Sequence, residues 1–187
     1  MKRLICVLGL YIFLGCASSQ EYIQPGVDFS KYDRLAVLPL VDYPTHPGSG
    51  AQVADILSIA LLRQGINVID RSQILALLNE QDMGLFGVLD ANTAPQVGKL
   101  LGVQCILTGS INEWQWTSTN VQVVEGGVPA YVVISAAGIS LKLIDCETGQ
   151  IIWAASSRGS AYGENLMARA AQKAVDDVTE KLAAHFR

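Results

Sequence analysis

The order of apolar and polar positions divides the chain into a short apolar head, a polar stretch and a long patterned body. Lys2 and Arg3 open the head, and Leu4 to Leu14, 11 residues, is almost unbroken apolar sequence. A bilayer-spanning helix needs ~20 such residues. A basic start before a short apolar core is the layout of a secretory signal peptide. Ser18 to Ser30 is polar and contains Pro25 and Gly26, so it reads as a tether. Fully extended, it reaches at most ~45 Å.

The body alternates between strand and helix patterns. Arg34 to Val41 is an apolar run that suits a buried strand, and Asp42 to Gly50 is a Pro- and Gly-rich loop. Val53, Ile56, Leu57, Ala60 and Leu61 recur at helical spacing within Ala51 to Gln64, and Gly65 follows as a stop. Ile66 to Ile69 predicts a second short strand, and Ser72 to Gln81 a second helix with Asp70 or Ser72 as its cap. Thr93-Ala94-Pro95-Gln96 has the form of a capping box with proline in the first turn, opening a short helix to Leu101. Three strands follow: one from Val103 towards Val124, one from Val128 to Cys146, and one from Gln150 to Arg158. Glu125-Gly126-Gly127 and Glu147-Thr148-Gly149 are the turns between them. Asn165 to Phe186 is a long amphipathic helix. The order β-α-β-α-α-β-β-β-α predicts an α/β (α+β) fold: a mixed sheet of about five strands covered by helices, with an antiparallel meander near the end.

The junction Ile12-Phe13-Leu14-Gly15-Cys16 resembles the bacterial lipobox. That resemblance implies cleavage after Gly15, a diacylglyceryl thioether on Cys16, and acylation of the new N-terminus. Several acyl chains anchor a protein durably. The division is then 1–15 signal peptide, 16–33 lipidated cysteine and tether, and 34–187 folded domain. By analogy with the sorting rule of such lipoproteins, Ala17, where Asp would mark retention, favours the outer membrane, with the domain facing the periplasm. The net charge is −4, and loss of Lys2 and Arg3 takes the mature chain to about −6. An acidic chain with no basic run excludes nucleic acid as a partner.

The patterned body also resembles the CsgG family of lipoproteins, which includes the curli secretion channel and is similar to the peptidoglycan synthase activator LpoB. The matching pieces are Leu35-Ala36-Val37-Leu38-Pro39, Val68-Ile69-Asp70-Arg71, Leu78-Asn79-Glu80-Gln81, Gly98-Lys99-Leu100-Leu101-Gly102-Val103 into Leu107-Thr108-Gly109-Ser110, and Asp145-Cys146-Glu147-Thr148-Gly149. They run in order over about residues 34 to 180, and the same core resembles the N-terminal domain of TolB. The resemblance implies a non-enzymatic, lipid-anchored module that binds protein partners in the envelope. Its role would be accessory to assembly or export of a surface structure, or, as the rival, activation of a cell-wall synthase. A homo-oligomer is a further implication. The curli channel builds its barrel from two membrane hairpins per subunit. Here Ile111 to Ser140 occupies the first position, but the chain runs from Trp153 through Gly159 and Gly163 into the final helix, with no second hairpin. A pore of that type is disfavoured.

Catalytic patterns do not assemble. There is no G-x-S-x-G nucleophile, and His46 and His185 lack metal-ligand spacing. Pro47-Gly48-Ser49-Gly50 lacks the P-loop lysine and reads as a turn with a helix cap. No cofactor or metal is expected. Trp114 and Trp116 share one strand face, either as sheet packing or as an exposed anchor for a partner or membrane interface. Cys105 and Cys146 stay with the mature domain. With Glu125-Gly126 as a two-residue turn, opposed residues sum to 251, which sets these cysteines face to face. A disulfide and two buried thiols are both open readings, and one bulge would break the register.

Overall fold

The computed structural model describes residues 19–69, 74, 93–121, 130–163 and 166–186. Cys16, the helix expected over Ser72 to Gln81 apart from Ile74, and the turn at Glu125-Gly126 lie outside the described residues. The described chain forms β1 (Gln20–Ile23), a 3-10 turn (Phe29–Lys31), β2 (Leu35–Val37), α1 (Ser49–Arg63), α2 (Ala94–Leu101), β3 (Cys105–Val121), β4 (Ala130–Asp145), β5 (Ile151–Tyr162) and α3 (Met167–His185). The strands make one sheet in the order β1-β5-β4-β3-β2. β2 is parallel to β3, and every other pair is antiparallel. The expected mixed five-stranded α+β architecture is therefore the observed one.

Alternation along the strands gives the sheet two unlike faces. Leu35, Val37, Cys105, Leu107, Leu143 and Trp153 point to one side, where they bury Leu57 and Leu61 of α1 and Val178 and Leu182 of α3. The other side carries a smaller cluster in which Ala36, Leu38, Ile106 and Ile144 pack against Val97 and Leu101 of α2. Burying one such Leu, Ile or Val contributes ~1.5–3 kcal/mol, so the first face, with two helices on it, dominates the stability. α2 stops where Gly102 enters the left-handed region at φ 63° and its amide donates back to the Gly98 carbonyl. A side chain is rarely tolerated there.

Three expectations change. The stretch read as a tether is partly folded: Gln20–Ile23 pairs with Trp153 to Ser156 of β5, and Phe29 and Tyr32 are in the core. The physical reason is that β5 offers a free edge, which even a polar segment can satisfy with its backbone. The segment expected as a strand at Ile66 to Ile69 makes a single parallel bridge, Val68 to Leu35. It covers the outer edge of β2, with the Leu35 amide donating to the Asn67 carbonyl at 3.0 Å and the Ile69 amide to the Leu35 carbonyl at 3.0 Å.

The third change concerns the cysteines. From Glu113–Gly138 out to Val121–Ala130 the ladder keeps the expected register, but it shifts by one residue between Ile111 and Glu113. Asn112 is the extra residue of a bulge. Cys105 consequently faces Asp145, not Cys146. Cys105 belongs to the helix-covered core and Cys146 to the cluster on the opposite face. Both are buried free thiols. Burial, with the Asp145 charge added, pushes the Cys146 thiol up to about 12, and Cys105 is raised further by the same first cause. Neither is a thiolate near neutral pH.

Candidate interaction surface

The polar groups at the proximal end of the meander are occupied by the protein itself. Asp145 closes β4, and its side chain is 3 % exposed. Its Oδ1 accepts the amides of Glu147 at 2.8 Å and Thr148 at 2.7 Å, and its Oδ2 accepts the Tyr32 hydroxyl at 2.5 Å. Lys31 Nζ lies 3.1 Å from the same oxygen. Burial pushes this carboxyl up, but the hydrogen bonds from Tyr32, the Thr148 amide, Lys31 and the Glu147 amide outweigh it and hold the group at about 2. Tyr32 is driven up to about 12, by burial first and then by its bond to Asp145. The Asp-Cys-Glu-Thr-Gly motif thus clips the 3-10 turn to the β4–β5 turn. A cleft of about 380 Å³ beside it includes Lys31, Lys99, Asp145 and Glu147 in its wall. With the Tyr32 hydroxyl, the Glu147 and Thr148 amides, the Thr148 hydroxyl at 3.1 Å and Lys31 around it, the Asp145 carboxylate is occupied by the chain itself.

The loop before α1 is closed in the same manner. Asp42 accepts the amides of Gly48 at 2.8 Å and Gly50 at 2.7 Å, and the Tyr43 amide donates to Ser49 Oγ at 2.9 Å. These two amides, Gly48 first, hold the Asp42 carboxyl below the usual carboxylate range. The position an anion would take at this helix start is filled by the chain's own carboxylate. His46 lies against Tyr43, and His185 contacts Glu21 at 3.0 Å and stacks on Phe29. No three His, Cys, Asp or Glu side chains among the described residues are grouped to hold a metal.

The distal half of the meander is different. β2 follows β3 only over Cys105 to Leu107, with one further bridge from Val41 to Ser110. β1 follows β5 only from Trp153 to Ser156. Beyond those points β3, β4 and β5 continue as a three-stranded blade whose outer edges pair with no strand among the described residues. One row across the blade is Glu113, Gly138 and Arg158. Arg158 donates to Glu113 from Nε at 2.6 Å and from Nη2 at 2.9 Å, over the backbone of β4. A Cβ at Gly138 would stand 3.1 Å from Glu113 Cβ, so the glycine leaves the channel through which this fork-to-fork pair forms. The pair keeps Glu113 below the ordinary carboxylate range. On the other face, Gly159 lets α3 press against β5, since a Cβ there would collide with the Ala170 carbonyl oxygen.

The two tryptophans singled out by their spacing share the helix-covered face but not their surroundings. Trp114 is 6 % exposed and belongs to the core, so it is not a surface anchor, whereas Trp116 is 67 % exposed. Tyr131 and Tyr162, which local pattern did not mark, are 76 % and 71 % exposed on the same blade. Their signal was a large aromatic residue near a strand end, which is common in buried sheet as well. For Trp116 and Tyr131 the start of α3 separates the cases, whereas Tyr162 lies on the other face, at the end of β5. β5 runs unbroken to Tyr162 and α3 begins at Met167, so no second hairpin lies between them.

Against known proteins, no curated sequence matches the chain. Solved structures do. A PelC dodecamer from Paraburkholderia phytofirmans is similar with a TM-score of 0.60 at 17% identity, over 88% of this chain and 98% of that chain. Lipoprotein GNA1162 from Neisseria meningitidis is similar with a TM-score of 0.55 at 13% identity, over 81% of this chain and 98% of that one. The LpoB C-terminal domain from Escherichia coli gives a TM-score of 0.49 at 16% identity, over 72% and 86% of the two chains. At these identities PelC and GNA1162 share the fold. The family described as "Curli production assembly/transport component CsgG" matches residues 28–181, from just before the 3-10 turn into the last turns of α3. With that match covering the whole sheet except β1, the chain belongs to the CsgG family.

Proposed function

We propose that this protein is a non-enzymatic, lipid-anchored module of the bacterial envelope. In this reading it faces the periplasm from the outer membrane and serves the assembly or export of a cell-surface structure by binding other proteins. The observation that carries the proposal is the CsgG-family match over residues 28–181. The lipobox-like Gly15-Cys16 junction supplies the anchor, and the outer edges of the blade, unpaired among the described residues, supply surface for partners. Exposed strand edges recruit further strands, from a partner or another copy.

Self-association is part of the proposal, since PelC chains of the same fold form a dodecamer. Among the described residues the two unpaired edges belong to different strands, β3 and β5, so copies joined β3 to β5 would meet head to tail, an arrangement that closes into a ring where the rotation between copies divides the circle. Lipoprotein extracted from membranes in mild detergent, cross-linked and identified by mass spectrometry, tests both statements. Recovery of export or fibre components with a ladder of self-cross-links is the expected result. Recovery of a cell-wall synthase instead would replace the proposal with synthase activation. A monomer with no envelope partner would overturn it.

A further inference from the structure

β1 is fastened to the domain differently from the other strands. All of its residues are exposed, and none of its side chains is part of the core. It precedes residues 28–181, which carry the family match, and forms one edge of the sheet. Its attachment is polar. The backbone ladder runs from Gln20–Ser156 to Ile23–Trp153, and the Gln24 amide extends it by donating to the Ile152 carbonyl at 3.0 Å. One side chain bolts this ladder down. Glu21 Oε1 accepts the indole N–H of the buried Trp153 at 2.7 Å, and His185 Nε2 of α3 lies 3.0 Å from the same oxygen. Two lesser ties flank the bolt: Gln24 Nε2 donates to Gln150 at 2.8 Å, and Lys181 of α3 donates to the Ser19 hydroxyl.

A hinge follows. Gly26, next to Pro25, sits in the left-handed region at φ 81°, and nothing lies within 4 Å of the place its Cβ would take. Phe29 is the first described residue that belongs to the core. An edge segment with exposed backbone hydrogen bonds and no buried apolar side chain lies at the low end of local stability, so it opens while the core stays folded. Release takes the acceptor from the indole N–H of Trp153, a cost that returns the segment to its edge. The chain upstream gives the opening a consequence. With β1 docked, the four residues from Cys16 to Gln20 reach at most ~14 Å, and with β1 released the chain from Cys16 to Phe29 reaches ~45 Å.

We infer that β1 is a releasable strap, bolted by Glu21, that sets how far the folded domain stands from its membrane anchor. Docked, it holds the domain against the bilayer; released, it lets the domain reach outward with its core intact from Phe29 onward. A partner engaged beyond the docked reach binds only the released state and draws the equilibrium towards it. The inference rests on the proposed lipidation of Cys16 and gives the tether two lengths.

The test uses mature lipoprotein in phosphatidylethanolamine–phosphatidylglycerol vesicles, checked by mass for acyl groups on Cys16. Hydrogen exchange read by mass spectrometry compares Gln20–Gln24 with the β4–β5 ladder at Leu141–Leu143. The strap is expected to exchange at least about 100-fold faster than that ladder, and with little response to low urea. Glu21→Ala is expected to speed strap exchange a further ~10-fold or more. Tyr22 and Ala154 are directly opposed, so Tyr22→Cys with Ala154→Cys, oxidised, is expected to lock the strap. Tyr22→Pro with Glu21→Ala is expected to release it, since alternation from Gln24 aims the Tyr22 amide at Ala154. Energy transfer from a dye at Gln52→Cys, an exposed site on α1, to an acceptor lipid reads the reach. The released variant is expected to transfer less than the locked one. Strap amides that share the rate and urea response of the β4–β5 ladder would make β1 a fixed strand and overturn the inference. Strap amides with no protection at all, no effect of Glu21→Ala, or equal transfer from locked and released variants would each overturn it as well. An unacylated Cys16 would overturn the anchor and the reach together, and the mass tells that failure from the others.

Discussion

Replacing Asp145 by Asn tests the account of the clip between the 3-10 turn and the β4–β5 turn. The carboxylate lies at about 2 in the folded protein, against an ordinary 3.8. At 1.36 kcal/mol for each pH unit, that difference is worth ~2 kcal/mol of folding stability. The group is almost fully buried, so solvent screening takes little from the figure. Asn retains an oxygen for the Glu147 and Thr148 amides but turns an amino group towards the Tyr32 hydroxyl and the Lys31 ammonium. A buried hydroxyl left without its acceptor brings the total to ~2–3 kcal/mol. For a chain of this size the melting temperature should fall by about 4–12 °C at pH 7. The sign with pH follows from a depressed carboxyl. Its contribution is complete above about pH 4 and is lost as pH falls through 2. Thermal unfolding followed by circular dichroism from pH 7 to pH 2 should therefore show the gap between wild type and Asp145→Asn shrinking below pH 4. Equal melting temperatures at pH 7, or a gap that stays constant down to pH 2, would refute the reasoning.

Gly159→Ala should destabilise the domain by about 1–3 kcal/mol, because its methyl group must displace α3 from β5; urea unfolding measures it, and wild-type stability would contradict the close approach. Alkylation of the native protein without reductant should leave Cys105 and Cys146 unmodified, and both should react at once on unfolding, whereas an unfolded chain that needs reductant first would show them to be bonded.

The sequence made legible those parts of the fold that local chemistry decides. Gly102 ends α2, and the Glu147-Thr148-Gly149 turn joins β4 to β5. The distal register of β3 on β4 follows from turn position alone. What was not legible depends on distant partners. Gln20–Ile23 is exposed at all four positions and has no strand pattern of its own; it is a strand only because β5 lies beside it. β5 also runs to Tyr162, past the Arg158 end expected from pattern, because β4 continues alongside to pair with it. For the candidate surface, sequence spacing set Trp114 and Trp116 on one face, and that was right. Which of them is covered was decided by where α3 starts, a tertiary fact. The motif Asp145-Cys146-Glu147-Thr148-Gly149 was visible, but its partner Tyr32, 113 residues away, was not.

Asn112 has an effect out of proportion to its size, because strands count in twos. Up to Ile111 the odd-numbered residues of β3 look towards the helices; from Trp114 on, the even-numbered ones do. The additional residue works like a change of reading frame. Upstream it leaves Cys105 and Leu107 in the main core, and downstream it turns Trp114 inward and Glu113 out towards Arg158. Were Asn112 straightened into an ordinary strand residue, strict alternation would turn Trp114 outward and drive Glu113 under α3, whereas deleting it would leave a regular strand with Trp114 still inward. A hairpin one residue shorter at this point, with no bulge, should accordingly keep both faces as they are, and one that keeps the residue must keep the bulge.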